Sequence, residues 1–204
     1  MVGAARRVWV FIDSQNVIRD AKEAFHVPSD PASYGHVYPD RLASLLVSLG
    51  IQPRVLDQVR IYTGAPANAH QPVAYRAHMK QRSVWIGAGV KVFPRTLRYP
   101  PDWPQTKAQE KGVDVALAVD LVRYALVEKT FDIGIVVSTD TDLVPALEAV
   151  TDGPAARAWG WPRVEVTTWA PNKKQLRVPG KNIWCYKLDR DQYESVRDHT
   201  NYTL

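Results

Sequence analysis

Three features of the chain predict an α/β protein, a three-layer α/β/α sandwich around a mainly parallel central sheet. Strand-like apolar runs alternate with helical patterns along the whole length. Two of those runs, residues 8–12 and 133–137, lack any polar side chain, as strands covered on both faces do. The 204 residues are 46% hydrophobic and 23% charged, which is ample apolar material for one sizeable core.

The elements follow in order. Residues 8–12 form the first strand and residues 14–25 a helix; a loop over 28–39 contains Pro28, Pro31 and Pro39. Pro39 or Asp40 opens a second helix through Leu49, where Gly50 stops it. A second strand spans 55–63 and ends at Gly64-Ala-Pro66, followed by a helix over about 72–84 and a third strand over 90–93. Residues 94–106, with the Pro100-Pro101 pair, read as a long irregular loop of the kind that often carries function. A long helix is expected over 109–127, a buried strand over 133–137 and a helix over about 143–150. Strands near 164–169 and 183–186 complete the sheet, and 188–199 forms a polar C-terminal helix. No linker marks a boundary, so residues 1–204 read as a single domain. Its motif-bearing core covers about 7–170 and its C-terminal strand and helix about 181–200.

Composition removes several function classes. Cys185 is the only cysteine, so neither an intrachain disulfide nor a multi-cysteine zinc site can form, in keeping with a reducing, cytoplasmic setting. Residues 1–7 are too short for a leader, and no apolar run reaches membrane-spanning length. The Asn201-Tyr-Thr203 glycosylation pattern carries no meaning without secretion. The five histidines show no paired ligand spacing and read as surface residues; the seven tryptophans read mainly as core. A net charge of +5 permits a nucleic-acid partner without requiring one.

The carboxylates carry the chemistry. Ligands of open parallel sheets bind beyond the carboxyl ends of the strands, near the point where strand order reverses. Asp13 directly follows the first buried strand, and Asp140 and Asp142 follow the other. If those strands are neighbours, three carboxylates meet at one sheet edge. Asp114 and Asp120 interrupt an otherwise apolar helix, where a carboxylate needs a cation or donors to compensate it. About 120° separates them around the helix, so one ion need not see both. Each also has a structural reading: Asp13, Asn16 and Asp142 as caps, Asp114 paired with Lys111, Asp120 as a satisfied buried group. Together, carboxylates without cysteine or a histidine pair select a hard cation, Mg²⁺ or Mn²⁺, suited to phosphodiester hydrolysis. Asn16 would orient phosphate or water, and Ser138 would bond a ligating carboxylate.

Basic residues interleaved with aromatics suit single-stranded nucleic acid. Arg95, Arg98, Tyr99, Trp103 and Lys107 populate the long loop just before Lys111, and are favoured as substrate contacts. The alternative is a proline-rich lid packed by its own tryptophan. Arg76, His78, Lys80 and Arg82 read as a solvated helix face, and Lys173, Lys174 and Arg177 as a further basic patch.

Phe11-Ile-Asp-Ser-Gln-Asn16, Lys111-Gly-Val-Asp-Val-Ala-Leu-Ala-Val-Asp120 and Ser138-Thr-Asp-Thr-Asp-Leu-Val-Pro145 resemble, in order and spacing, the three motifs of the NYN domain family, a branch of the PIN-like nucleases. Thr139 stands where that family usually has glycine. The resemblance implies a PIN-like sandwich, an Mg²⁺ or Mn²⁺ site and RNA cleavage. It places metal-site roles on Asp13, Asp114, Asp140 and Asp142, with Asn16 nearby and Asp120 as a recurrent family aspartate. The expected function is a metal-dependent endoribonuclease that hydrolyses single-stranded or structured RNA through a metal-activated water, with a homodimer compatible with the sequence. The rival is a non-catalytic RNA-binding or regulatory protein that retains the acidic pocket. A phosphatase using Asp13 as nucleophile is disfavoured because Gln15 occupies the place of its usual second aspartate, and a Rossmann protein because no glycine-rich fingerprint follows the first strand.

Overall fold

The computed structural model describes residues 4–31, 34–172 and 174–204, apart from the side chain of Trp159. Lys173 of the basic patch and part of the 28–39 loop therefore lie outside the described residues.

Six strands form one sheet: β1 (Arg6–Asp13), β2 (Arg54–Ala65), β3 (Lys91–Thr96), β4 (Ile133–Val137), β5 (Arg163–Trp169) and β6 (Trp184–Leu188). Their order is β3-β2-β1-β4-β5-β6, and every pairing is parallel. The all-apolar runs are explained by coverage of both faces. Val8, Val10 and Ile12 of β1 pack into a core with α1 (Ser14–Phe25), α2 (Pro39–Ser48) and α7 (Arg190–Val196), while Trp9 and Phe11 point to the opposite core. There they meet α4 (Val113–Val122) and α5 (Val144–Thr151). The remaining helices are α3 (Pro72–Gly87) and a short α6 (Pro154–Trp159). Among the described residues no helix is long and apolar enough to cross a membrane.

The chain runs outward from β1 to β3, then returns to the centre and runs the other way from β4 to β6. The reversal falls between β1 and β4, so the loops leaving these two strands diverge and open a crevice at their carboxyl ends.

Several boundaries differ from expectation. The long helix starts at Val113 rather than 109, because Gln109 pairs with Arg98 in an isolated bridge and Gly112 turns the chain with φ 74°. A residue with a Cβ is disfavoured at that angle. The same helix closes as a π turn, Arg123–Val127. The C-terminal helix is shorter than 188–199, starting after Asp189 caps it through a capping box with Gln192. The α6 turn was not expected, since six residues between Gly153 and Gly160 are too few to show a period. Nor are the histidines all on the surface: His26 bonds the Tyr193 hydroxyl at 2.8 Å, His36 bonds Gln81 at 3.1 Å, and His78 has a buried ring nitrogen.

The long loop is packed rather than splayed. Tyr99 stacks on His70 with ring centroids 4.1 Å apart, and Trp103 meets Tyr99 edge-on at 5.1 Å. The Tyr99 hydroxyl donates to Gln71 at 2.9 Å and accepts from the Ala67 amide at 2.9 Å. These contacts favour the lid packed by its own aromatics over two rings free to stack on bases. Tyr99→Phe should therefore lower stability by about 1–2 kcal/mol, measured by urea unfolding.

Candidate active site

Asp13 ends β1 and caps α1, with its Oδ1 accepting from the Asn16 amide at 3.1 Å. Its Oδ2 accepts from the Ser138 hydroxyl at 3.2 Å, and that hydroxyl oxygen accepts in turn from the Asp140 amide at 3.1 Å. Ser138 thus ties the ends of β1 and β4 together, as expected of a residue that positions a carboxylate. Asp140, not Asp142, provides the cap after β4: its Oδ1 accepts from the Asp142 amide at 3.0 Å.

Asn16 and Thr139 form the second tie. The Asn16 Oδ1 accepts from the Thr139 amide at 3.1 Å and from its hydroxyl at 2.9 Å. The same hydroxyl reaches the carboxylate of Asp20, which is 2% exposed. Threonine at this position therefore has a job that a glycine could not do, because its hydroxyl anchors two buried side chains of α1.

A polar cavity of about 190 Å³ opens over these residues, lined by Asp13, Asn16, Arg19, Glu110, Asp114 and Asp140 among others. Asp114 enters from the first turn of α4, where the helix dipole favours negative charge. Glu110 arrives from the segment just before it, held by the Gly64 amide, which donates to its Oε1 at 2.8 Å. A Cβ at Gly64 would lie 2.4 Å from that oxygen, so glycine is what admits the glutamate. Glu110 and Arg19 were not anticipated from the sequence: Glu110 fell inside a stretch read as helix, and Arg19 carried no signal of its own within the helix over 14–25.

The carboxylates crowd one another. Burial pushes the Asp13 carboxyl up to about 6, assisted by the charge of Asp140 and opposed by hydrogen bonds from Asn16 and Ser138. Burial also raises Glu110, and the charges of Asp13 and Asp114 add to it. Asp142 is exposed and does not line the cavity. Asp120 lies elsewhere. Six residues along α4 from Asp114, about 9 Å at helical rise, it binds Arg60 at 2.5 Å and accepts from the Tyr62 hydroxyl at 2.7 Å.

An all-oxygen donor set that is electrostatically unfavourable by itself fits a hard divalent cation. Among the described residues, no three His, Cys, Asp or Glu side chains are close enough to enclose an ion directly.

Of the expected substrate contacts, Arg95 and Lys111 are exposed and line an open groove of about 510 Å³ along β3 and α4. Arg98 and Lys107 are exposed farther along the loop, and Lys174 pairs with Glu23 at 3.0 Å.

Residues 7–155 match the NYN domain model, a span that includes every residue lining the acidic cavity. A crystal structure of a protein of unknown function from Vibrio parahaemolyticus has a similar fold, with a TM-score of 0.52 at 17% identity over 81% of this chain and 82% of that one. At that identity the likeness bears on fold alone. No curated protein matches the chain.

Proposed function

The chain belongs to the NYN domain family, with a nuclease-type, RNA-related function, and from that premise we propose that it is a metal-dependent endoribonuclease of the cytoplasm. The observation that carries this reading is the convergence of Asp13, Glu110, Asp114 and Asp140 on one cavity where strand order reverses. A retired site has no reason to keep Asp13 and Glu110 buried among further carboxylates, which disfavours their charged forms.

Asp13 and Asp140 would hold Mg²⁺ or Mn²⁺, with Asp114 acting directly or through water. When bound, such an ion polarises the phosphodiester and lowers the pKa of water at the site. The protein's own residues do the rest. Asn16 and Ser138 lock the two strand ends, so the carboxylates stay in place as RNA enters. Glu110, with its raised affinity for a proton, takes a proton from the attacking water. Arg19 is half-exposed at the cavity wall and meets the phosphate as a cation. Arg95 and Lys111 extend a positive track along the groove for neighbouring phosphates.

The test is cleavage of end-labelled single-stranded RNA with Mn²⁺, Mg²⁺ or EDTA. Wild type should cleave only with metal, and Asp114→Asn should be slower by about a hundredfold or more. Equal cleavage by the variant would point to a contaminating nuclease. RNA binding without cleavage, unaffected by the substitution, would establish the non-catalytic alternative.

A further inference from the structure

A second cleft adjoins the acidic cavity and differs from it in character. It has a volume of about 420 Å³ and shares Gln15 and Glu110 with the cavity as a common wall. That volume lies in the range of small-ligand pockets, which combine apolar walls with a few aimed polar groups. Ile18, Pro66, Ala74 and Ala77 supply apolar surface, while Thr63 and His78 supply polar edges. Among the described residues no lysine or arginine lines it, and Glu110 is its one acidic residue. A phosphate would find no cation here and would be repelled at the shared wall.

His78 also lines the cleft, with its Nε2 buried behind the wall and without a hydrogen-bond partner. Burial and the charge of Arg82 hold the His78 imidazole below its ordinary pKa, so at neutral pH it is uncharged and matches a neutral donor or acceptor. The outer wall is preformed. The Thr200 amide and the Tyr202 hydroxyl both donate to the buried carboxylate of Asp198, each at 2.8 Å, which sets the 200–203 segment over the opening.

Resting on the nuclease reading above, we propose that this cleft is a nucleobase subsite. It receives the unpaired base of the nucleotide beside the scissile phosphate, with its ring against the apolar wall and its edge facing the Thr63 and His78 side chains. A flat, uncharged, hydrogen-bonding ring matches the neutral walls, and its sugar-phosphate would pass over Gln15 towards the carboxylates. Unpaired bases are what sequence-sensitive RNA recognition splays into such pockets. The nuclease would then prefer single strands, and particular bases at the cut.

The experiment uses the full chain in EDTA, so that binding is read without cleavage. The probes are a five-nucleotide single-stranded RNA and an abasic ribose-phosphate chain of the same length. The intact RNA should shift the ¹⁵N resonances of the His78 ring and bind about tenfold more tightly than the abasic chain, a typical effect for one buried base. His78→Ala removes the edge contact, and Ala77→Leu fills the cleft while leaving His78 in place. Both variants should erase the tenfold preference and leave abasic affinity as it was. Equal binding of the two probes, no binding of either, or stationary His78 resonances would overturn the subsite. Metal-dependent cleavage by wild type is scored separately: base-selective binding without cleavage would sink the nuclease reading alone, and cleavage without base selectivity the subsite alone.

Discussion

Asp13→Asn is expected to abolish RNA cleavage and, in the same molecule, to raise the midpoint of thermal unfolding at pH 7.5. Burial moves the Asp13 carboxyl from 3.8 to about 6 in the folded chain. The folded state therefore binds this proton more tightly than the unfolded state does. The group favours folding below pH 3.8; that benefit disappears as pH rises through 3.8 to about 6, and above 6 the buried charge costs about 3 kcal/mol. Asparagine removes the charge and keeps an oxygen for the Asn16 amide, so about 1–3 kcal/mol of that should be recovered. For a chain of this size the gain is about 2–12 °C, read by differential scanning fluorimetry in EDTA. It should shrink to nothing by pH 4. Mn²⁺ should raise the midpoint of wild type and do little for the variant, narrowing the gap between them. A variant less stable than wild type at both pH values would show that the Ser138 bond outweighs the buried charge.

The architecture was legible because both of its signals are strong. Strands covered on both faces must be apolar throughout, so residues 8–12 and Ile133–Val137 identified themselves and placed Asp13 and Asp140 at their ends. That these strands are neighbours is a tertiary fact, which the sequence could frame only as a condition; the β1–β4 pairing meets it. Helix α1 was legible to the residue because its cap is also the strand's last residue. Glu110 was not, because its position depends on two features without a local signature: the Arg98–Gln109 bridge and the space left by Gly64. Asp142 shows the converse difficulty. Asp140 and Asp142 are chemically equivalent in sequence, and only the turn after β4 decides that the first faces the cavity while the second faces solvent. Thr139 looked like a plain departure from a family motif, and its role became visible only once Asn16 and Asp20 were brought beside it.

Asp120→Ala should have the largest effect on stability of any single change considered, and it opens a test of whether this carboxylate is structural or catalytic. Its partner Arg60 lies under the sheet's aromatic layer, with the guanidinium carbon 4.2 Å from the Phe93 ring centroid and 4.6 Å from that of Tyr124. Arg60 also donates to Gln58 at 2.8 Å and to the Tyr62 hydroxyl at 3.0 Å, but among the described residues Asp120 is the one anion bound to it. Its side chain is only 6% exposed, so without Asp120 it is a buried cation with no counter-charge. Removing one member of such a pair costs about 3–5 kcal/mol, and the partial exposure of Asp120 places this case near 3. Replacing both members should cost less: Arg60→Met with Asp120→Leu fills the same space without any charge, and should return most of the lost stability in chemical unfolding. Cleavage by that rescued double variant is the deciding measurement. Activity close to wild type would assign Asp120 to holding α4 against β2, and so to aiming Asp114 from the far end of the helix. Loss of activity in a stable double variant would instead make Asp120 part of the chemistry, acting across about 9 Å of helix on the carboxylates at its start.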